Sequence, residues 1–293
     1  MKVMENLVII GSGPAGISAS LYTARSNLSP LVISKGMGAL EKAEKIDNFY
    51  GSEEGLTGPQ LHEKGIQQAK RLGVRFQETE VLGIREEENF IVITSAGEIE
   101  TKTVLLATGI KRATLNVPGR KELEGKGISY CAVCDAFFYR QKKAVIIGNG
   151  DFALHEARVL KPLAREVVIL TNGEPAAFSE TPEFSVDTRR IISFEGEDRL
   201  RAIAFEDGQQ METDGAFLAI GTAGSGEIAR QMGAELTEKG HIKVNEKMET
   251  TIQGLYAVGD CTGGMLQIAK AVYEGAAAGI AISSFFRKNK NNF

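Results

Sequence analysis

Two glycine turns, a strand that recurs at the end of each half, and a last strand with no glycine turn of its own together predict the fold class. It is α/β, with two Rossmann-like, three-layer ββα dinucleotide-binding domains, the second inserted into the first. The turns are Gly11-Ser12-Gly13-Pro14-Ala15-Gly16 and Gly148-Asn149-Gly150-Asp151-Phe152-Ala153, each between an apolar run and a helical pattern. The recurring strands are residues 104–109 and 216–221, and such internal similarity implies two related domains rather than one sheet.

Taken in order, Leu7-Val8-Ile9-Ile10 reads as a buried parallel strand feeding the first turn. A helix follows with Ile17, Leu21 and Ala24 on one face, and with Ala15, Ala19 and Ser20 small enough for close packing. Leu31-Val32-Ile33 is the next strand, and residues 74–100 alternate as a small antiparallel meander. The second copy runs from Ala144-Val145-Ile146-Ile147 through a helix near 153–160 to Val167-Val168-Ile169-Leu170, with its own meander at 191–213. The final strand, residues 254–260, and a helix over about 267–286 return to the first domain. The expected boundaries are 1–117 plus 243–293 for the first domain and 118–242 for the second, with crossings at Val117-Pro118-Gly119 and Lys243-Val244-Asn245.

Composition narrows the function classes. The 293 residues are 43% hydrophobic and 25% charged, enough for two ordinary cores. The 33 glycines are spread through tight turns rather than gathered in a low-complexity tract. A net charge of −4, with no basic block before the last few residues, argues against a nucleic-acid partner. No signal peptide or membrane span is visible, since residues 7–10 and 276–282 are both too short. Three cysteines make no secreted disulfide framework, so the expected compartment is cytoplasmic.

The first turn has a mechanical logic. Gly11 permits the tight turn, Gly13 lets a pyrophosphate approach the backbone, and Gly16 lets the helix sit close to the sheet. The helix N-terminus supplies amides and partial positive charge. The acidic ribose partner usual at the end of the second strand is absent, because that strand ends at Ser34-Lys35.

Between the two turns lies Cys131-Ala132-Val133-Cys134-Asp135. Two thiols at this spacing close and open a small disulfide ring, and a helix start lowers a thiol pKa and so favours exchange. Asp135 can take or give the accompanying proton. A structural zinc needs four ligands. Beyond the pair there are Cys261, His62, His155 and His241, none at ligand spacing, so no metal is expected.

The first glycine turn, Ile46-Asp47-Asn48-Phe49-Tyr50-Gly51, Ala107-Thr108-Gly109, the Cys-x-x-Cys-Asp run and Tyr256-Ala257-Val258-Gly259-Asp260 are similar in order and spacing to the low-molecular-weight thioredoxin reductases, across essentially the whole chain. The resemblance implies an FAD-containing homodimer that reduces thioredoxin. It places the flavin against Gly11, Ser12, Gly13, Pro14, Ala15, Gly16, Ser34, Lys35, Gly38, Leu40, Asn48, Val81, Ala107, Thr108, Gly109, Gly259, Asp260, Gln267 and Ile268. Asp260 would lie near the ribityl chain, its alternative role being a helix cap, and Gln267 near the ring. Cys134 would face the flavin, Cys131 would attack the substrate disulfide and Asp135 would act as acid and base. Meeting both flavin and thioredoxin would require the inserted domain to rotate. Cys261 reads as a small packed residue.

The second turn departs from its pattern. NADPH-using relatives carry a His-Arg-Arg-like cluster after the next strand, where arginine forks grip the 2′-phosphate. Here that stretch is Leu170-Thr171-Asn172-Gly173-Glu174. Phe152 stands where relatives have a small residue, and Leu266 where they have arginine. Reductases lacking these arginines draw electrons from reduced ferredoxin, which resemblance makes the expected donor. Lys42, Lys45, Lys111 and Arg112 could offer that acidic partner a basic patch. Three alternatives stay open: phosphate contacts from Arg189-Arg190 or Arg165 in an NADPH- or NADH-linked enzyme, a dithiol oxidase using oxygen, and a redox-sensing flavoprotein without turnover.

Overall fold

The computed structural model describes residues 4–109, 115–130, 132–221 and 224–289. In chain order these form β1 (Glu5–Ile10), α1 (Pro14–Arg25), β2 (Leu31–Ser34), α2 (Gly58–Arg71), β3 (Arg75–Glu78), β4 (Val81–Glu86), β5 (Phe90–Thr94) and β6 (Gly97–Leu106). There follow β7 (Ile128–Ser129), α3 (Ala132–Asp135), β8 (Lys143–Ile147), α4 (Asp151–Leu160), β9 (Glu166–Leu170), β10 (Ser185–Asp187), β11 (Ile191–Glu195), β12 (Ala202–Phe205), β13 (Gln210–Glu212) and β14 (Gly215–Leu218). The chain closes with α5 (Ser225–Gln231), β15 (Leu255–Ala257) and α6 (Ile268–Lys288). The chain divides into two compact units, Met1–Lys111 with Gly224–Phe293, and Arg112–Ala223. Residues 115–117 therefore group with the second unit and 224–242 with the first, where the sequence suggests crossings nearer 117 and 243.

In the first unit, among the described residues, β3-β2-β1-β6-β5-β4 form one sheet with β15 on the far side of β6. The long β6 serves two layers. Its C-terminal half lies parallel between β1 and β15, and its N-terminal half runs antiparallel to β5 in the meander. This division explains the sequence pattern: Val104, Leu105 and Leu106 are fully buried, whereas Gly97 and Glu98 are exposed. α1 and α6 pack closely because glycines face them. A Cβ on Gly275 would stand 2.2 Å from the Ala15 carbonyl oxygen, and one on Gly279 would stand 2.8 Å from Tyr22 Cβ. Each mid-helix glycine costs about 1 kcal/mol of helix propensity, which the apolar packing of Ala19, Ala278 and Ile282 in the same core offsets. α2 is started by a capping box in which the Gln60 amide donates to Thr57 Oγ1 and the Thr57 amide to Gln60 Oε1.

In the second unit a parallel sheet runs β10-β9-β8-β14-β7, and β11-β12-β13 form the expected meander. Val145, Ile147, Leu170, Phe205 and Leu218 share its core. Residues 171–184, between β9 and β10, contain no helix. This irregular crossover decides what the second glycine turn can do.

Candidate active site

The first glycine turn is built as its spacing predicts. Gly11 has φ +114°, and a Cβ there would lie 2.4 Å from the Ala107 carbonyl oxygen. A Cβ on Gly16 would lie 2.0 Å from the Gly11 oxygen, whereas one on Gly13 would meet no atom of the chain within 4 Å. Gly13 is thus open to a ligand, and it caps α1 with no side-chain bond and no acidic residue in the first turn. Pro14 and Ala15 begin that helix. Ser12 is buried and shares a 3.1 Å hydrogen bond with His62 Nε2. Burial pushes the His62 pKa down, so its ring stays neutral at physiological pH.

The remaining positions surround that turn unevenly. Ser34 ends β2, and the Lys35 ammonium donates to Glu80 at 2.5 Å. Glu80, between β3 and β4, is the buried acidic partner of Lys35. Gly38 and Leu40 lie in the 3-10 turn Gly38–Lys42, with Leu40 buried against Gly58. Asn48 Nδ2 donates to Gln267 Oε1 at 2.9 Å, joining two expected positions 219 residues apart. Val81 opens β4 and is buried. Ala107, Thr108 and Gly109 follow β6, and Thr108 Oγ1 accepts from the Ser225 amide at 2.9 Å. Gly109 has φ +73° and Gly259 φ +80°.

Asp260 sits inside the turn Gly259–Thr262, whose cap is Val258, while α6 is capped by Gln267 and begins at Ile268. Asp260 is therefore the cap of neither. Lys270, unremarked in the sequence, ties this turn together. Its ammonium donates to the Gly259 carbonyl at 2.8 Å, to Thr262 Oγ1 at 2.9 Å and to the Gly263 carbonyl at 2.5 Å, and pairs with Glu274 at 3.2 Å. Cys261 is packed, as expected, with its Sγ donating to the Val258 carbonyl at 3.1 Å.

In the second unit, Cys131 and the side chain of Cys134 lie outside the described residues. Their neighbours are defined. Ala132–Asp135 is a single helical turn, so the helix dipole available to a thiol is that of four residues rather than of a long helix. The Ala132 amide donates to Glu156 Oε2 at 2.7 Å, and Ser129 Oγ donates to Asp135 Oδ2 at 2.6 Å. Burial first, and the charges of Asp135 and Asp214 next, push the Tyr139 phenol pKa up. Val133, Phe137 and Phe138 are 51%, 71% and 67% exposed, an apolar edge beside the dithiol.

The second glycine turn has the same sterics but a different occupant. A Cβ on Gly148 would stand 2.1 Å from the Ala219 oxygen, matching Gly11 and Ala107. Here, however, Asn149 Nδ2 donates to the Pro175 carbonyl at 2.9 Å and the Ala177 amide donates to the Asn149 carbonyl at 2.7 Å. The Ser179 amide donates to Asp151 Oδ1 at 2.8 Å. Farther along α4, Arg158 pairs with Glu180 at 2.9 Å, and Lys161 pairs with Glu183. Phe152 is buried rather than standing in the open turn. Of the arginines that could serve a 2′-phosphate, Arg189 is held by Asp187 at 2.6 Å and lies over the Phe205 ring at 3.9 Å. Arg190 is exposed beside Gly173, and Arg165 is exposed. Of the basic residues suggested for docking, Lys42 is exposed, Lys45 pairs with Asp47 at 2.7 Å, and Lys111 and Arg112 lie outside the described residues. Among the described residues no cluster of His, Cys, Asp and Glu could hold a metal.

Two dinucleotide folds, one with an open glycine turn and the other carrying a Cys-x-x-Cys turn, define a flavin-linked disulfide oxidoreductase. The pattern of the pyridine nucleotide-disulphide oxidoreductases matches residues 5–275, and the chain belongs to that family. It is 30% identical to the thioredoxin reductase of Bacillus subtilis (strain 168), over 96% of this chain and 94% of that one. Among solved structures it is similar to the atypical thioredoxin reductase TRi from Desulfovibrio vulgaris Hildenborough, with 38% identity, a TM-score of 0.91, and 97% and 99% of the two chains covered. A ferredoxin-flavin thioredoxin reductase from Clostridium acetobutylicum matches with 32% identity, a TM-score of 0.69, and 97% and 100% covered.

FAD is the cofactor of these reductases, and the first unit fits it. The open cradle at Gly13 and two helix N-termini without side-chain caps, those of α1 and α6, suit a pyrophosphate and an electron-rich ring edge.

Proposed function

We propose that this chain is an FAD-dependent thioredoxin reductase that takes its electrons from reduced ferredoxin rather than from a nicotinamide nucleotide. The observation that carries the choice of donor is the second glycine turn, where Asn149, Gly150 and Asp151 bond to residues 175–179 of the same chain. Residues 175–179 lie against the turn through the Asn149 carbonyl and the Asn149 and Asp151 side chains, and the Asp151 carboxylate in the first turn of α4 repels a pyrophosphate. When bound, FAD accepts electrons singly and delivers them in pairs to a disulfide.

The chain's own residues supply the rest. Two electrons and two protons convert the Cys131–Cys134 disulfide to a dithiol. Cys131 then attacks the thioredoxin disulfide, and Cys134 resolves the mixed disulfide, releasing reduced thioredoxin and restoring the ring. Asp135, oriented by the Ser129 hydroxyl, carries the proton. Exposed Val133, Phe137 and Phe138 offer the apolar surface on which thioredoxin docks. We place this reaction in the cytoplasm and assign a homodimer, which light scattering on the purified protein tests. Among the described residues no helix is long and apolar enough to cross a membrane.

Anaerobic bleaching of the bound flavin by reduced ferredoxin, NADPH and NADH tests the donor. Rapid bleaching by ferredoxin alone is expected, and rapid bleaching by NADPH overturns it. Loss of thioredoxin reduction in Cys134→Ser with FAD retained is the matching test of the dithiol.

A further inference from the structure

His62 takes no part in the disulfide chemistry described above, yet it stands against the first glycine turn. It lies on α2, and its Nε2 is 3.1 Å from Ser12 Oγ. Ser12 sits between Gly11 and Gly13 and is buried, and among the described residues its side chain hydrogen-bonds to His62 alone. The helix that brings His62 there is held from two sides. At its start, beside the Thr57 capping box, a Cβ on Gly58 would stand 1.9 Å from the Leu40 carbonyl oxygen. Farther along, His62, Gly65 and Ala69 recur at the three- and four-residue spacing that shares one face of a helix. A Cβ on Gly65 would stand 3.3 Å from Ile17 Cγ2, and Ala69 is buried in the core that holds Ile17, so this face meets α1. The imidazole therefore reaches the turn from a fixed element.

The chemistry of the pair has a direction. A serine hydroxyl has one proton to give, and a neutral imidazole has one donor and one acceptor nitrogen. Phosphate oxygens are acceptors. A Ser12 proton given to Nε2 is withheld from a phosphate, whereas an Nε2–H that donates to Ser12 Oγ leaves the hydroxyl proton for the phosphate. The second arrangement satisfies all three groups at once. Burial lowers the His62 pKa and keeps the ring neutral, against the smaller opposing pulls of the Glu63 charge and the Ser12 carbonyl. A hydroxyl bond to a phosphate is charge-assisted and roughly twice as strong as one between neutral groups.

We propose that His62 is a positioning residue for FAD: its Nε2–H donates to Ser12 Oγ and so turns the hydroxyl proton toward the pyrophosphate at the Gly13 cradle. This role is the same whichever donor supplies the electrons. Wild-type holoenzyme is compared with His62→Gln, His62→Leu, Ser12→Ala and the double variant His62→Leu/Ser12→Ala. Each is diluted serially, and released FAD is read from its fluorescence to give a dissociation constant. Ser12→Ala should weaken FAD binding by about 10- to 100-fold. His62→Leu leaves the hydroxyl in place but unoriented, and should weaken binding by about tenfold. A glutamine amide can donate in place of Nε2, so His62→Gln should bind FAD within about threefold of wild type. In the double variant the leucine should add less than about twofold to the alanine loss, because both changes break one chain of bonds.

Nitrogen NMR of histidine-labelled wild-type holoenzyme, with the His62 signals assigned by their loss in His62→Gln, reads the tautomer directly. A proton on Nε2 is expected. Wild-type FAD affinity in His62→Leu overturns the proposal, as do equal losses in the leucine and glutamine variants. Losses that multiply in the double variant overturn it too, as does a proton on Nδ1 in place of Nε2. Should the leucine variant not fold, the tautomer decides alone.

Discussion

The backbone of Gly150 pairs in parallel register with that of Ala177, so the second glycine turn is bonded to its own polypeptide. The expected consequence is that NADP+ produces no binding heat with the holoenzyme at about 1 mM, a limit that corresponds to less than about 4 kcal/mol of binding free energy. Replacing Asn149 by Gly and Asp151 by Ser removes two anchors of residues 175–179. Amide exchange at Ala177 and Ser179 should then accelerate, and weak NADP+ binding should emerge. Micromolar binding to the unaltered protein would show that the segment leaves the turn at little cost.

How far this was legible in the sequence depends on what carried each feature. The glycine spacings, the buried strands and the two meanders all showed, because steric need and burial leave a periodic trace. Small residues on α1 announced its close partner, and Gly275 and Gly279 on α6 complete that contact. The cover over the second turn left no trace, because Pro175, Ala177 and Ser179 contribute backbone groups, which any residue could supply. Glu80 and Lys270 stayed hidden for a different reason. Each reaches its partners across elements whose relative placement no local pattern encodes. The missing arginine cluster was visible, but why its absence is tolerated was not.

Gly11 and Gly13 should fail in different ways when substituted. Gly11→Ala forces a side chain into φ +114° and against the Ala107 oxygen, so the protein should lose about 3 kcal/mol of stability or more. Gly13→Val meets nothing in the chain, so the apoprotein should melt within a few degrees of wild type but retain little FAD after gel filtration. Denaturant melts of both apoproteins, with flavin content by absorbance, check the pair. Equal stability losses would mean that Gly13 also serves packing.

Cys261 should be chemically silent. It is 4% exposed, and burial pushes its thiol pKa up to about 12, from an ordinary value near 9. The folded state therefore favours the neutral thiol. The resulting stability is fully present below pH 9 and is lost as the pH rises from about 9 toward 12. In the reduced native protein at pH 8, alkylation should modify the Cys131–Cys134 pair and spare Cys261, with all three modified only in denaturant. Mass spectrometry of the alkylated protein distinguishes the two, and fast native labelling of Cys261 would contradict its packing.

The Lys270–Glu274 pair should respond asymmetrically to the loss of either charge. Both side chains are close to nine-tenths buried. Glu274 Oε2 accepts the Gly259 amide at 2.7 Å, while the Lys270 ammonium also reaches the Gly259 and Gly263 carbonyls and the Thr262 hydroxyl. In Lys270→Met the carboxylate loses its counter-charge and the turn Gly259–Thr262 loses three bonds, a cost of about 3 kcal/mol or more. In Glu274→Gln the amide can still find an acceptor and the ammonium keeps its three oxygens, so the cost should be about half as large. The double variant should be less damaged than the sum of the two, with a coupling of about 1 to 3 kcal/mol. Because this turn carries Asp260, the methionine variant should also release FAD more readily than the glutamine variant. Urea unfolding with and without FAD measures both effects, and equal, additive losses would show that the two charges act independently.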